Sequence, residues 1–309
     1  MLFTGGGGAG SEALSRLLGD HYEVHFADAD AEARPHSIDP ACWHSIPMAV
    51  APDFLPGLRH LCRELRVDLL VPGVDEELLP VAEARDTFDC GVLLPAAEFV
   101  RSHLDKLTSS RLLASSGVPA PLTELVTQRN KVDFPCIVKP RQGRGSRGVA
   151  IVRSEPELQA HLVTSRRPAE EFIVQALLPG QEYTVMMAAD RAGRLRAVVP
   201  VKVGIKRGIT LRARTDRDDA VIRACVAIHA SYPVAGCYNI QLMRDTTGAA
   251  LPFEINPRIS TTSCLGIAAG VDFLSVYLDS TQEDSGPTRL TDFRDGLGLK
   301  RSWHNEFLE

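Results

Sequence analysis

A chain of 309 residues is long for one hydrophobic core, so two or three subdomains are expected. Its composition, 44% hydrophobic and 24% charged, is that of an ordinary globular protein, and a formal net charge of -5 gives no hint of a nucleic-acid partner. The seven cysteines are scattered without a Cys-x-x-Cys pair, which argues against a zinc site or disulfide framework and for reduced thiols in the cytoplasm.

The N-terminus has neither the basic nor the long apolar region of a signal peptide, and no apolar run reaches the roughly 20 residues of a membrane span. Instead Leu2-Phe3-Thr4 runs into Gly5-Gly6-Gly7-Gly8-Ala9-Gly10, followed by a helical pattern through Leu14, Leu17 and Leu18. Tyr22 to Ala27 reads as a second strand ending at Asp28 and Asp30. Gly5, Gly7 and Gly10 fit the G-x-G-x-x-G spacing of an NAD site, with an acid near the ribose position. The same glycines also serve wherever a helix packs close to the first strand of a doubly wound sheet.

A proline-punctuated loop with Pro35, Pro40, Pro47 and Pro52 precedes an amphipathic helix from Leu55 to Leu65. Val67 to Val71 is a buried strand, Glu76 to Ala84 a helix and Val92 to Leu94 another strand, so the first domain is a parallel sheet covered by helices. It is expected to end at Pro95. Asp105 then caps a helix that stops at Gly117.

Beyond Gly117 the pattern changes. Phe134 to Pro140 is a strand carrying Lys139 near its end, 142–148 is a glycine- and arginine-rich loop, and Val149 to Val152 returns as a hairpin partner. Backbone N–H groups in such a loop can approach a phosphate, and Lys139 is placed to reach the same anion. An exposed hairpin loop is the plainer alternative. Glu155 to Ser165 reads as a helix. Strands follow at Phe172 to Ala176, Tyr183 to Ala189, Leu195 to Val203 and Ile209 to Ala213, then a helix from Asp218 to Ser231. Between the first two of these strands lies Gln175-Ala176-Leu177-Leu178-Pro179-Gly180-Gln181-Glu182. An apolar connector of this kind suits main-chain recognition of adenine, and Glu182 can accept from ribose hydroxyls; a plain Pro-Gly turn is the alternative.

Strands at Cys237 to Met243 and Leu251 to Asn256 follow, then helices at Thr262 to Gly270 and Phe273 to Leu278. A polar connector at 279–292 and a last strand from Leu297 to Trp303 complete the chain. Glu254 and Asn256 share one face of their strand, with Gln241 facing them from the strand before. Their hard oxygens suit Mg²⁺, and Arg258 just beyond Pro257 offers a fork for phosphate or carboxylate. A polar strand end is the alternative.

Taken together, these segments resemble the ATP-grasp superfamily, specifically its carbamoyl-phosphate synthetase-like branch. The resemblance rests on the glycine-turn α/β domain, the Asp105-Lys106 helix, Lys139 with its glycine loop, Leu-Pro-Gly-x-Glu, and Glu-x-Asn-Pro-Arg. It implies an α/β pre-ATP-grasp domain (1–95), a linker helix and small lobe with the glycine-rich loop (96–180) and a large lobe with the metal and substrate site (181–309), with ATP between two α+β lobes. The resemblance further implies that Lys106 and Lys139 hold ATP phosphates under the loop residues Gly143, Gly145, Ser146 and Gly148. Gln175, Ala176, Leu177 and Leu178 would flank adenine, and Glu182 would hold the ribose. Gln241, Glu254 and Asn256 would carry Mg²⁺, or Mn²⁺ in its place, and Arg258 would lie beside the transferring phosphate with Lys139. Many members have Glu where Gln241 stands, so this site carries one negative charge fewer.

The implied activity is ATP-dependent ligation: a carboxylate becomes an acyl phosphate and an amine displaces the phosphate. Small-molecule acids and amines are the implied partners, with a homodimer as the family habit. The basic segment with Lys202, Lys206 and Arg207, together with Ser260 and Thr261, is the candidate substrate region, and an amino acid or peptide-like acid is the expected substrate. A non-catalytic nucleotide-binding module and an NAD-dependent oxidoreductase are the competing classes.

Overall fold

Short, mostly buried strands alternate with amphipathic helices at the start of the chain, and in the computed structural model, which describes residues 1–278 and 290–302, they form a parallel sheet. The elements are β1 (Leu2–Thr4), α1 (Ser11–Leu18), β2 (His25–Asp28), β3 (Trp43–Ser45), α2 (Phe54–Glu64), β4 (Leu69–Val71), α3 (Asp75–Glu83) and β5 (Gly91–Val92). Their strand order is β3-β2-β1-β4-β5, so the sheet grows in opposite directions from β1. The β1 and β4 triplets are fully buried because helices cover both faces.

Two helices connect this sheet to the rest. α4 (Ala97–Leu104), which hydrophobic spacing did not reveal, leads directly into α5 (Lys106–Ser115). Asp105 caps α5 by accepting from the Thr108 N–H at 2.8 Å, and Gly117 follows the helix at φ +77°, a left-handed position that suits glycine.

A small antiparallel sheet comes next: β6 (Thr123–Leu125), β7 (Cys136–Pro140), β8 (Ala150–Val152), α6 (Glu155–Ser165) and β9 (Phe172–Ala176), in the order β6-β9-β7-β8. The large sheet follows with β10 (Gln181–Ala189), β11 (Leu195–Arg207), β12 (Ile209–Thr215), α7 (Asp219–Ser231), β13 (Gly236–Arg244), β14 (Ala250–Asn256), α8 (Ser263–Ala268), α9 (Phe273–Leu278) and β15 (Gly298–Lys300). Its order is β14-β13-β10-β11-β12-β15. The fold class is thus a parallel α/β domain followed by α+β lobes.

Several expectations are corrected. The second strand starts at His25 rather than Tyr22, where the His25 N–H donates to the Met1 carbonyl at 2.9 Å and sets the parallel register. The proline-rich loop contains β3, and β6 was also unforeseen; both are edge strands of three residues, too short to show a period. β11 extends to Arg207, past the expected end at Val203. Most of the polar connector at 279–292, and the end of the last strand at Trp303, lie outside the described residues.

The buried side chains explain how the parts are fixed. One core cluster joins Phe3, Phe26 and Val71 of the parallel sheet to Met186 and Val199 of the large sheet through Leu265, Phe273 and Leu274. These two regions therefore share apolar packing. The small sheet has its own core around Cys136, Val138, Leu158 and Phe172. No helix among the described residues is long and apolar enough to cross a membrane.

Candidate active site

The antiparallel register of β13 and β14 sets Gln241 opposite Glu254 and Asn239 opposite Asn256. β10 adds Thr184 beside Gln241 and Glu182 beside Met243 on the same face. Asn256 Nδ2 donates to Asn239 Oδ1 at 3.2 Å, which turns the Asn256 carbonyl oxygen away from that neighbour. Asn239 in turn donates to the Arg258 carbonyl at 3.0 Å, tying the strand to the turn that follows it.

Three lysines converge on Glu254 from separate elements. Lys106 opens α5, and its Nζ lies 3.9 Å from Glu254 Oε1 while donating to the Gly143 carbonyl at 2.8 Å. Lys139, at the end of β7, is only 4% exposed; its Nζ lies 3.7 Å from Glu254 Oε2 and donates to Gln175 Oε1 at 3.0 Å. Lys206 donates to Glu182 Oε1 at 2.5 Å and Gln241 Oε1 at 3.1 Å. Burial pushes the Glu254 carboxyl up, but Lys106, Lys139 and Lys206 outweigh it and hold the group below the usual carboxylate range. Burial likewise lowers Lys139, with Glu254 restoring part of its proton affinity.

These groups line one cavity of about 1100 Å³ between the small sheet, the large sheet and the parallel domain. Gly143, Gly145 and Ser146 line it, as do Gln175 through Leu178, Arg258, Ser260 and Thr261. Gly148 is not on the lining; it turns the hairpin at φ +71°, and its carbonyl accepts from His161 at 3.1 Å.

Lys202 and Arg207 are also off the lining, whereas Lys206 is on it. Lys202 pairs with Tyr183, whose side chain is packed in the core on the opposite face of the sheet. Two register shifts between Val203 and Lys206 then carry Lys206 to the cavity face. Arg258, expected beside a phosphate, donates from Nε to Asp75 Oδ1 at 2.7 Å and so bridges to the parallel domain. Asp75, Asn239 and Thr184 were missed by sequence reasoning. Asp75 heads an acidic run at a helix start, which reads as ordinary dipole compensation.

The donor set suits Mg²⁺: one carboxylate from Glu254 and amide oxygens from Asn256 and Gln241 are hard ligands, and Mg²⁺ takes further oxygens from phosphates and water. No group of three or more His, Cys, Asp or Glu able to hold a metal occurs among the described residues, so the protein's share of such a site is small.

The glycine turn after β1 does not resemble a dinucleotide site in its hydrogen bonding. The Gly6 N–H donates to the Ala27 carbonyl at 3.0 Å, Gly8 to the Gly5 carbonyl at 3.0 Å, and Gly7 to Asp28 Oδ2 at 2.9 Å. Those donors are therefore unavailable to a pyrophosphate.

Comparison with known proteins agrees with this geometry. Residues 168–301 match the family model described as ATP-grasp in the biosynthetic pathway with Ter operon. The chain is 26% identical over 304 residues to a formate-dependent phosphoribosylglycinamide formyltransferase of Bifidobacterium longum, covering 87% of this chain and 74% of that protein. It is 24% identical over 202 residues to a D-alanine–D-alanine ligase of Gluconobacter oxydans, covering 60% of each. Among solved structures, an N5-carboxyaminoimidazole ribonucleotide synthetase from Thermus thermophilus superposes with a TM-score of 0.71 at 17% identity, over 95% of this chain and 81% of that one. Residues 168–301 thus match an ATP-grasp family model, and the fold of the chain is that of the solved structure it superposes on.

Proposed function

We propose that the chain is an ATP- and Mg²⁺-dependent ligase that converts a carboxylate to an acyl phosphate and joins it to an amine. The observation that carries this reading is the meeting of Lys106, Lys139 and Lys206 around Glu254 in a cavity large enough for a nucleotide and a second molecule. Clustered ammonium groups attract a polyphosphate, and fixed cations in a partly dry site stabilise charge on a phosphoryl group in transit.

In this reading the apolar connector from Gln175 to Leu178 holds adenine, and Glu182 takes the ribose. Lys106 and Lys139 hold phosphates under the loop residues Gly143, Gly145 and Ser146. Glu254, Asn256 and Gln241 carry Mg²⁺, which when bound neutralises phosphate charge. Arg258 steadies the phosphate end through its anchor on Asp75. Lys206 moves in role from the acid substrate to the nucleotide end, because it touches Glu182 and Gln241. The divisions near residues 95 and 180 are part of the same proposal. An amino acid as substrate is supported by the relative named for ligating D-alanine. A cytoplasmic setting is supported by seven cysteines that are all unpaired.

Purified protein is expected to release ADP with Mg²⁺, ATP and a matching acid and amine from a broad panel. Glu254→Ala should lower that turnover at least ~1000-fold with an unchanged circular dichroism spectrum. Turnover surviving in Glu254→Ala would remove the residue from the site.

A further inference from the structure

The reverse side of the sheet that carries Lys206 has a charge pattern the cavity does not use. Ala213 of β12 is buried in the core shared with the parallel domain, and Leu299 of β15 packs against that core. Side chains alternate along a strand, so the residues flanking these two face the other way. There Arg212 and Arg214, both exposed, stand two residues apart on β12. Half-buried Lys202 of β11 lies directly across from Arg214, and exposed Lys300 of β15 directly across from Arg212.

Four cations thus occupy adjacent cross-strand positions on three neighbouring strands. Like charges placed directly opposite one another weaken a sheet. Among the described residues, none of the four takes part in an ion pair or a side-chain hydrogen bond. Asp216 and Asp218 stand beside Tyr183 of the same face, and both are engaged. Asp216 accepts from the Tyr183 hydroxyl at 2.5 Å, while Asp218 accepts from Arg244 Nε at 3.0 Å and caps α7. Asp219 belongs to the first turn of α7, where the helix dipole favours an acid. In a chain with a net charge of -5, four unmatched cations side by side are a local reversal of the surface as a whole.

Spacing and composition select the partner. Residues two apart on a strand are about 6.8 Å apart, and neighbouring strands about 4.8 Å. Acids at alternate positions of an extended segment repeat at that same distance of about 6.8 Å. Ile205, 43% exposed, lies across from Arg212 on the β11 side and adds one apolar contact. No aromatic side chain is among the large apolar groups that the described residues leave exposed. Single-stranded nucleic acid is held largely by stacking on aromatic rings, whereas an acidic peptide needs the charges alone.

We infer that the outer face of β11, β12 and β15 docks an extended acidic segment of a partner protein. Lys202, Arg212, Arg214 and Lys300 take its carboxylates, and Ile205 takes an apolar side chain beside them. Lys202 thereby has a role outside the cavity, on the strand whose Lys206 lines it.

The test is fluorescence anisotropy of the full chain with a labelled alternating Glu-Ser peptide, alongside a Lys-Ser peptide and an oligothymidylate of equal length. The Glu-Ser peptide should bind at least ~10-fold more tightly than either, and raising sodium chloride from ~50 mM to ~0.3 M should weaken it. The double variant Arg212→Glu, Arg214→Glu should weaken it at least ~10-fold with an unchanged circular dichroism spectrum. The double variant Arg212→Gln, Arg214→Gln should melt no lower than wild type, because it removes repulsion rather than a contact. Absent Glu-Ser binding, tighter binding of oligothymidylate, or equal binding by the charge-reversed variant overturns the inference. A lower melting temperature of the glutamine variant also overturns it, by showing that the cations are matched within the chain. So does a wild-type dimer in sedimentation that the charge-reversed variant disperses, because a second copy would then cover the face.

Discussion

The two glycine-rich stretches of this chain look interchangeable as text and are opposites as structures. In the turn after β1, an added Cβ would lie 2.7 Å from Trp43 at Gly6 and 2.6 Å from Ala33 at Gly7; at Gly5 it would lie 2.6 Å from Val74, with the backbone at φ +65°. In the β7–β8 loop, a Cβ at Gly143 or Gly145 would meet nothing within 4 Å, although both residues have positive φ. The first stretch uses glycine to let backbone and side chains crowd together. The second uses it to reach backbone shapes in open space, on the lining of a cavity that Lys106, Lys139 and Lys206 share. Glycine content alone therefore says nothing about phosphate binding; what surrounds the missing side chain decides it.

The largest expected effect lies outside both stretches, in the packed frame around α4, and acid is what brings it out. His103 on α4 is 5% exposed, lies against Phe99 with ring centroids 4.2 Å apart, and bonds to Ser109 Oγ at 2.8 Å. Burial lowers its pKa from 6.5 to about 4. The unfolded chain therefore binds a proton between those values that the folded chain refuses, so this contribution is complete above pH 6.5 and is lost as pH falls toward 4. The loss should be about 3 kcal/mol by urea unfolding, and His103→Gln should remove most of that pH dependence. An unchanged slope would mean that the frame opens to water around this ring.

Next in size is the turn itself. Gly6→Ala should cost about 2 kcal/mol, because Trp43 and the fully buried Phe26 must move to admit one methyl group. A variant as stable as wild type would break the contrast by showing that the turn has room to spare.

Much of this architecture was legible before any coordinates. Apolar triplets and helical spacing give the parallel domain, and the two-residue period of β14 puts Glu254 and Asn256 on one face. What stayed hidden has particular physical causes. Lys202 and Lys206 look equivalent at a spacing of four, but irregular pairing between β11 and β12 sends them to opposite faces. The Arg258–Asp75 pair spans 183 residues, and no local pattern announces a contact of that reach.

The smallest effect on stability belongs to the open loop, and there the contrast is sharpest. Gly145→Ala meets no neighbour but must hold φ +67°, which costs roughly 1 kcal/mol for a side chain. That cost falls on an exposed loop held by Lys106 donating to the Gly143 carbonyl at 2.8 Å and Arg144 donating to Glu76 at 3.0 Å. The loop can relax to another conformation without unfolding the small sheet, so the melting temperature should move by less than ~2 °C. Its shape over the lysines would still be disturbed, and kcat/KM for ATP should fall about fivefold, the kinetic equivalent of roughly 1 kcal/mol. If Gly145→Ala instead lowers stability as much as Gly6→Ala while kcat/KM holds, the loop is a packed element like the first, and its place over the phosphates must be given up.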